Sequence, residues 1–393
     1  MNARPGLPRG VVVLGLVSLV MDFSSEMIHS LLPVFLVTVL GASALSVGII
    51  EGVAEATAAI AKVCSGVISD RIARRKPLVL LGYGLAALSK PLFPLANGVG
   101  TVLAARFLDR IGKGIRGAPR DALIADLTPR ARQGAAYGLR QSLDTVGAVA
   151  GPLAAMGLMA SSDDNFRLVF WIAAVPALAC VLLIQFGVHE PAAAANRPSV
   201  AVRITRAGLA QLPVRYWYVV ALAAVLTLAR FSEAFLLLRA QSVGMDLAQV
   251  PLILIVMNVV YAASAYPIGN LFDRGHRRRL LVFGVASLIV ADGILVWASS
   301  AWTVAVGAAV WGLHMGATQG LLSALVADAA PAQLRGTAFG LFNLVHGLAL
   351  LVASVIAGAL WTWLGPEATF VAGACFAGLA LPGLHTRIAR TLH

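Results

Sequence analysis

The hydrophobic residues of this chain form long continuous stretches and not the short stripes of a soluble helix. Most stretches are about 20 residues long, the length that an α-helix needs to cross the hydrocarbon core of a membrane. Short polar segments rich in Arg, Pro or Gly separate them. The pattern predicts twelve membrane-spanning helices at residues 11–38, 45–68, 78–96, 100–122, 134–160, 166–187, 215–240, 247–270, 280–298, 302–325, 336–362 and 368–385.

The composition agrees with a membrane protein. The chain has 393 residues, of which 59% are hydrophobic and 12% charged, whereas soluble domains usually carry about twice that charged fraction. Arg4, Arg9 and the apolar segment after them are similar to a signal peptide. That segment is too long for one and contains Asp22 and Glu26, so we predict a first span that is retained.

Lys and Arg are distributed unequally between the two sides of the predicted spans. Of the 30 basic residues, we place 20 on one side, 2 on the other and 8 within spans. Because cytoplasmic loops carry the excess of basic residues, we expect both termini in the cytoplasm and the chain in the inner membrane. The net charge of +12 then reflects topology anchors, and we predict no nucleic-acid partner.

The two halves of the chain repeat each other. Asp126 in ADLTPRARQGAAYGL matches Asp328 in ADAAPAQLRGTAFGL, 202 residues later, and Asp70 matches Asp273 at nearly the same offset. We therefore predict a six-helix bundle at 1–187, a cytoplasmic linker at 188–214 and a second six-helix bundle at 215–393. Duplicated membrane halves are typical of transporters, since two similar bundles can rock about a central site.

The repeated Asp segments resemble the cytoplasmic motif of the major facilitator superfamily, Gly-x-x-x-Asp-Arg-x-Gly-Arg-Arg/Lys. Its residues here are Gly66, Asp70, Arg71, Arg74 and Arg75 in the first copy, and Gly269, Asp273, Arg274, Arg277 and Arg278 in the second. The resemblance implies an all-α integral membrane protein with twelve transmembrane helices in two pseudo-symmetric six-helix bundles. It also implies that these motifs gate the cytoplasmic side.

Two further motifs extend the resemblance. Arg110-Ile-Gly-Lys113-Gly114 is similar to the fourth-helix motif Arg-x-x-Gln-Gly, with Lys in place of Gln. Gly147-Ala-Val-Ala-Gly151-Pro152 matches the fifth-helix motif Gly-x-x-x-Gly-Pro of the antiporter branches. Small residues let helices approach closely, and Pro can bend a helix. The fifth-helix motif implies conformational gating and export by antiport.

Charged residues inside the spans are the candidate functional residues, because a charge that faces hydrocarbon costs several kcal/mol. Asp22, Glu26 and His29 share one face of the first span at helical spacing. We predict that Asp22 and Glu26 carry protons, with Asp144 as the next candidate, since burial favours a neutral carboxyl and a nearby Arg favours a charged one. The predicted substrate-binding residues are Arg106, Arg110, Lys113, Arg116, Arg230, Glu233 and His314.

The leading interpretation is a proton-coupled antiporter that exports a small anionic or carboxylate-bearing molecule by alternating access. One alternative is efflux of a transition metal by His29, His314 and His346. Another is multidrug efflux, with a lipophilic cation bound beside Glu233. The sequence contains no hydrolase, metalloprotease or phosphate-loop motif. We therefore predict no enzyme and no cofactor, and we expect a monomer in the lipid bilayer.

Overall fold

A computed structural model describes residues 7–71, 74–129, 132–190, 211–273, 276–331 and 334–386, and gives the backbone alone at 70–71, 272–273, 335–336 and 382–386. These residues form helices and no β-strand. The helices are α1 (Arg9–His29), α2 (Leu32–Thr38), α3 (Ala44–Arg71), α4 (Lys76–Ser89), α5 (Val99–Leu127), α6 (Gln133–Ser161), α7 (Phe166–Gly187), α8 (Val214–Ala229), α9 (Ala234–Ser242), α10 (Leu252–Asp273), α11 (Arg277–Val296), α12 (Ala301–Ala329), α13 (Arg335–Leu364) and α14 (Pro366–Thr386).

These helices confirm the twelve predicted spans. Spans 1 and 7 are each made of two helices, α1 with α2 and α8 with α9, and every other span is one α-helix. A 3₁₀ turn, Lys90–Leu92, extends α4 in span 3. Eight of the spans are long and apolar enough to cross a membrane on length and composition alone.

The two broken spans, 1 and 7, occupy equivalent places in the sequence repeat. Span 1 breaks at residues 30–31. Pro33 lies in the first turn of α2 and has no N–H to continue the hydrogen bonds of α1. Span 7 breaks at residues 230–233 without a proline. There the backbone N–H of Ser232 donates to the Ser354 hydroxyl at 3.2 Å, which replaces a lost helical hydrogen bond.

The contacts divide the chain into two compact units, whose boundaries differ from those of the sequence repeat. Unit 1 consists of Met1–His29 and Thr57–Val202, and unit 2 of Ser30–Ala56 and Arg203–His393. The end of span 1 and the first half of span 2 thus pack with the C-terminal spans.

Within each unit, glycines allow the closest helix contacts. In unit 2, a Cβ on Gly48 or Gly52 would collide with the backbone of α13. In unit 1, a Cβ on Gly112 of α5 would lie 2.5 Å from the carbonyl oxygen of Gly82 on α4. Only glycine permits such approach, so these pairs fix α3 against α13 and α4 against α5.

The outward faces of the spans are apolar. On α7, Val175, Leu182 and Phe186 are 66%, 59% and 73% exposed. Their spacing places them on one side of the helix. A row of large exposed apolar side chains is unfavourable in water and favourable in lipid, so this face is a membrane surface.

We predict that cysteines placed at Ala195 and at Ser299 react with a membrane-impermeant maleimide from opposite sides. Ala195 lies in the predicted linker, outside the described residues, and Ser299 joins α11 to α12. The unequal distribution of Lys and Arg predicts a cytoplasmic linker. Labelling of both cysteines from the same side would contradict the twelve-span topology.

Candidate functional site

The glycines of the fifth-helix motif bring α6 against α1 at the two candidate proton carriers. A Cβ on Gly147 would lie 2.5 Å from the carbonyl oxygen of Leu19 and 3.2 Å from the Cβ of Asp22. A Cβ on Gly151 would lie 2.6 Å from the carbonyl oxygen of Phe23 and 2.9 Å from the Cβ of Glu26. The motif therefore fixes the backbone of α1 at both acids.

The two acids of α1 lie in the electrostatic field of the basic face of α5. Asp22 interacts electrostatically with Asp144 of α6 and with the cations Lys113, Arg116 and Arg120. Glu26 interacts with His29, 3.6 Å away, and with Lys113 and Arg110. Lys113 acts on both carboxylates and is itself exposed. The structure thus brings together most of the charges that the sequence singled out in spans 1 and 4.

Part of the basic face of α5 is a buried ion cluster. Lys90 Nζ lies 3.0 Å from Asp109 Oδ1 and also donates to the Ser25 hydroxyl at 3.0 Å. Arg106 and Arg110 approach Asp109 Oδ2 at 3.9 and 3.8 Å. Lys90, Arg106 and Arg110 are only 2–3% exposed, so Asp109 stabilises three cations within the interior of unit 1.

Arg116 of α5 and Arg140 of α6 each have a partner in unit 1. The guanidinium of Arg116 lies 4.6 Å from the ring centre of Tyr83, a cation–π contact. Arg140 pairs with Asp144, also of α6, at 2.7 Å, and the second carboxylate oxygen of Asp144 has no hydrogen-bond partner among the described residues. One oxygen of Asp144 is therefore anchored, and the other can accept a hydrogen bond.

Unit 2 contains a cavity of ≈ 200 Å³, lined by both polar and apolar side chains, that opens between spans 7, 10 and 11. Arg230, at the break of span 7, and His314, on α12, both line it. Glu233 is not among the lining residues but acts electrostatically on Arg230 together with Glu55. The complete lining is Leu226, Thr227, Arg230, His314, Thr318, Gln319, Leu322, Ser323, Phe342, Asn343 and His346.

The two histidines of the cavity are each fixed by one ring nitrogen. His314 Nδ1 contacts the carbonyl oxygen of Gly284 at 2.7 Å, so this nitrogen carries hydrogen and donates. His346 Nδ1 lies 2.8 Å from the Thr227 hydroxyl. The ring of Phe342 stacks on His346 with a centroid distance of 6.3 Å. These contacts set both imidazole orientations and leave the Nε2 atoms for other partners.

Sequence reasoning missed several cavity residues that carry no charge. Thr227, Gln319 and Asn343 are polar side chains in otherwise apolar helices. Asn343 and His346 are three residues apart on α13, a spacing that places them on one face. A search for uncharged polar residues on the faces of the charged ones would have found them.

The cytoplasmic motifs are only partly visible. The side chains of Asp70, Arg71 and Asp273, and the whole of Arg274, lie outside the described residues. Gly66 packs loosely, since a Cβ there would be 3.7 Å from Ala118 of α5, and Arg74 is exposed.

One basic residue of each motif forms an ion pair, and the two pairs are equivalent. Arg75 pairs with Asp126 at 2.5 Å in unit 1, and Arg277 pairs with Asp328 at 2.7 Å in unit 2. Both members of the second pair lie 202 residues after those of the first. The sequence repeat is therefore a structural repeat at this end of the spans.

We predict that Asp126→Asn lowers the free energy of unfolding more than Asp328→Asn does. The Asp126 side chain is 9% exposed and that of Asp328 is 43% exposed. A buried charged hydrogen bond contributes about 1.5–3 kcal/mol, whereas an exposed ion pair contributes about 0–1 kcal/mol. Thermal unfolding of the two purified variants in one detergent measures the difference, and equal losses would contradict this account of the pair.

Candidate metal ligands do not cluster in the described part of the chain, where no three His, Cys, Asp or Glu side chains form a group able to hold an ion. His29 lies in unit 1 beside Glu26. His314 and His346 lie in unit 2, where the two line one cavity.

Known proteins agree with this architecture. The chain matches the family model of the Major Facilitator Superfamily at residues 14–238 and 218–389. It is 33% identical over 379 residues to an uncharacterized MFS-type transporter of Methanocaldococcus jannaschii, covering 94% of this chain and 93% of the relative. It is 26% identical over 347 residues to the class C tetracycline resistance protein of Escherichia coli, covering 81% of each.

Solved structures show the same fold. The nucleoside transporter NupG superimposes with a TM-score of 0.77 at 13% identity, over 97% of this chain and 99% of that one. An identity this low supports a shared fold and nothing about function. The match over nearly the whole length, the repeated ion pairs and the twelve spans lead to one conclusion: the chain belongs to the Major Facilitator Superfamily of membrane transporters.

Proposed function

We propose that this transporter is a proton-coupled antiporter that exports a small molecule bearing a carboxylate or similar anionic group. The observation that carries the proposal is the position of Asp22 and Glu26. Both acids project from a helix that α6 fixes by direct backbone packing, and both interact with the cations of α5. Carboxylates in a span beside cations are suited to bind a proton in one state and release it in another.

The exchange follows if the transporter changes sides with either a proton or a substrate bound. When water reaches Asp22 and Glu26 from the acidic side, a proton neutralises a carboxylate, and this protonated state turns toward the cytoplasm. There the proton leaves, and the carboxylate pairs again with cations such as Lys113. The anionic substrate binds in this deprotonated state, and the loaded transporter turns outward and releases it. Proton entry and substrate exit thereby alternate, as antiport requires.

The cavity of unit 2 supports an anionic substrate group. Arg230 lines a space together with polar and apolar side chains, and Arg can hold a carboxylate through two parallel hydrogen bonds. Arg106 and Arg110, by contrast, are 2–3% exposed and lie beside Asp109. We therefore place the substrate carboxylate at Arg230 and assign Arg106 and Arg110 to the ion cluster of unit 1.

Export as the direction of transport is supported by two features. The Gly-x-x-x-Gly-Pro motif packs on α1 in span 5. The tetracycline resistance protein, a relative over 81% of the chain, confers a phenotype that removal of a drug from the cell would produce. We propose that the protein lies in the cytoplasmic membrane as a monomer, with both termini in the cytoplasm.

The test compares Arg230→Lys with Arg110→Lys in a binding screen of purified protein. Citrate, tetraphenylphosphonium and Zn²⁺ serve as anionic, cationic and metal probes, and binding is measured as a rise in melting temperature. Arg230→Lys should weaken binding of citrate roughly 10- to 100-fold, the loss of one charged hydrogen bond. Arg110→Lys should lower the melting temperature and leave citrate affinity nearly unchanged. If Arg110→Lys weakens citrate binding and Arg230→Lys does not, the anion site lies on α5 and the assignment to Arg230 is wrong.

The second candidate function is efflux of a lipophilic cation. Glu233 and Glu55 act electrostatically on Arg230, so the break of span 7 also offers negative charge. If tetraphenylphosphonium alone stabilises the protein and Glu233→Gln removes that effect while Arg230→Lys does not, the cation assignment replaces the anion one.

A further inference from the structure

Asp292 is a fully buried carboxyl group near the C-terminal end of α11. Its side chain is 0% exposed, and neither of its oxygens has a hydrogen-bond partner among the described residues. An isolated carboxylate in an apolar interior is so unfavourable that such a group normally takes up a proton. None of the proton-coupling steps proposed above uses this residue.

The surroundings of Asp292 connect it to the break of span 7. A Cβ on Gly373 of α14 would lie 2.7 Å from Asp292 Oδ2, 3.1 Å from the carbonyl oxygen of Ala229 and 3.1 Å from the ring of Phe231. Ala229 is the last residue of α8, and Phe231 lies in the break. The absence of a side chain at Gly373 is what lets the carboxyl group, the end of α8 and the Phe231 ring occupy this space.

Four ionisable groups of the helices packed against α11 have partners elsewhere. His314 of α12 contacts the carbonyl of Gly284 at 2.7 Å. Glu367 of α14 pairs with Arg239 at 2.9 Å, Asp328 pairs with Arg277, and the Tyr261 hydroxyl of α10 donates to Gln319 at 3.3 Å. Arg239 of α9 also donates to the carbonyl oxygens of Leu295 and Val296 at the end of α11, and no hydrogen bond from it reaches Asp292.

The sequence repeat shows that unit 2 has different residues at the positions of a buried ion pair in unit 1. At the offset of 202 residues, Asp292 corresponds to Lys90 and Trp311 corresponds to Asp109. In unit 1 those two positions form the buried ion pair between spans 3 and 4. In unit 2 they hold a carboxyl group and an indole N–H, and both lack a hydrogen-bond partner among the described residues. The Phe231 ring lies 5.3 Å from the Trp311 ring and also reaches the Asp292 side.

We propose that Asp292 is a second proton-binding site, which holds its proton in the present arrangement of span 7 and releases it when the break rearranges. Phe231 lies in the break, beside the Trp311 ring and beside the space between Gly373 and Asp292, so a rearrangement of the break would move it. Its displacement would admit water and let the two unpartnered groups meet.

The proton step involves Asp292, Trp311 and one entering water. The O–H bond of the Asp292 carboxylic acid breaks, and the proton passes to the entering water. The resulting carboxylate then accepts a hydrogen bond from Trp311 Nε1–H, which compensates part of the cost of the buried charge. Reversal of the movement separates the two groups, and the carboxylate takes up a proton again.

Infrared spectroscopy of the purified full-length protein tests the site without any substrate. The difference between wild type and Asp292→Asn should contain the C=O stretching band of a protonated carboxylic acid. Asn is a neutral group of equal size, so folding should persist. As pH rises while circular dichroism shows a folded protein, this band should give way to a carboxylate band. A carboxylate band throughout, or an acid band that pH never changes, would overturn the proposal.

Two variants test the partners of Asp292 in the same spectra. Trp311→Phe removes the indole N–H and should shift the loss of the acid band to higher pH. Gly373→Ala places a methyl group against the carboxyl and should shift the band frequency, whereas Gly378→Ala, where a Cβ meets nothing within 4 Å, should not. Unaltered spectra in both Trp311→Phe and Gly373→Ala would also overturn the proposal that Asp292 is a proton-binding site. These readouts stay interpretable if Asp22 and Glu26 prove unnecessary for coupling.

Discussion

Replacing Asp22 with Asn, or Glu26 with Gln, should abolish proton-driven transport while leaving ligand binding and substrate exchange largely intact. The amide keeps the size of the carboxyl group but cannot take up and release a proton. Because α6 fixes the backbone of α1 at both positions, the substitution should leave the local packing unchanged. The measurement is transport into inverted membrane vesicles with and without an imposed pH gradient. Proton-driven transport should fall to the level of vesicles without the protein.

The control for this prediction is Asp164→Asn, the same change in the turn between α6 and α7. Asp164 has a φ of 58°, which Asn tolerates well, so this variant should transport normally. If both Asp22→Asn and Glu26→Gln retain full pH-driven transport, the assignment to α1 is wrong. Asp144, which acts electrostatically on Asp22, is then the next residue to replace.

Gly151→Ala and Gly157→Ala should change stability in opposite directions. Both glycines lie in α6, where Ala has a helix propensity about 1 kcal/mol better than Gly. A Cβ at Gly157 meets nothing within 4 Å, whereas a Cβ at Gly151 would lie 2.6 Å from the Phe23 carbonyl oxygen. Gly157→Ala should therefore stabilise by up to ~1 kcal/mol, and Gly151→Ala should destabilise by about 1–3 kcal/mol through overpacking.

Gly151→Ala should also impair transport, because separation of α6 from α1 displaces Asp22 and Glu26 from the cations of α5. Melting temperature and pH-driven transport of both variants provide the comparison. Equal stabilisation by the two substitutions would mean that the helices adjust freely, and that the glycine motif does not set the position of the acids.

The sequence was sufficient to predict the spans because lipid imposes a length and a composition on every helix that crosses it. It was not sufficient to predict the break at residues 230–233, which contains no proline and depends on a hydrogen bond from Ser232 to Ser354, 122 residues away. The division into units was equally hidden. The contacts of Gly48 and Gly52 with α13 come from tertiary packing and leave no local pattern.

For the candidate site, the charged residues in the sequence indicated which helix faces lie close together. They did not indicate which of the charged side chains are buried. Asp22, Glu26 and Lys113 came together as their helix faces implied. Arg106 and Arg110 looked similar to Arg230 in the sequence, yet the first two are buried beside Asp109 and the last lines a cavity. Burial depends on the neighbouring helices, and a single helix pattern does not contain that information.

Equivalent positions of the two units share one ion pair and differ at another. The equivalent pairs Arg75–Asp126 and Arg277–Asp328 keep the same chemistry in both units. Deeper in the spans, the ion pair of Lys90 and Asp109 corresponds to Asp292 and Trp311, which form none. Unit 1 therefore has a buried ion pair at positions where unit 2 has a carboxyl group and an indole without hydrogen-bond partners among the described residues.

The direction of proton movement during transport tests the central claim most directly. Purified protein is reconstituted into proteoliposomes that contain a pH-sensitive dye, and each anionic probe that binds in the screen is added outside. Antiport predicts that inward movement of the probe drives protons out, so the lumen becomes alkaline, and that the Asp22→Asn/Glu26→Gln double variant gives no signal. Acidification of the lumen, or uptake of labelled probe with no proton movement, would contradict proton-coupled antiport.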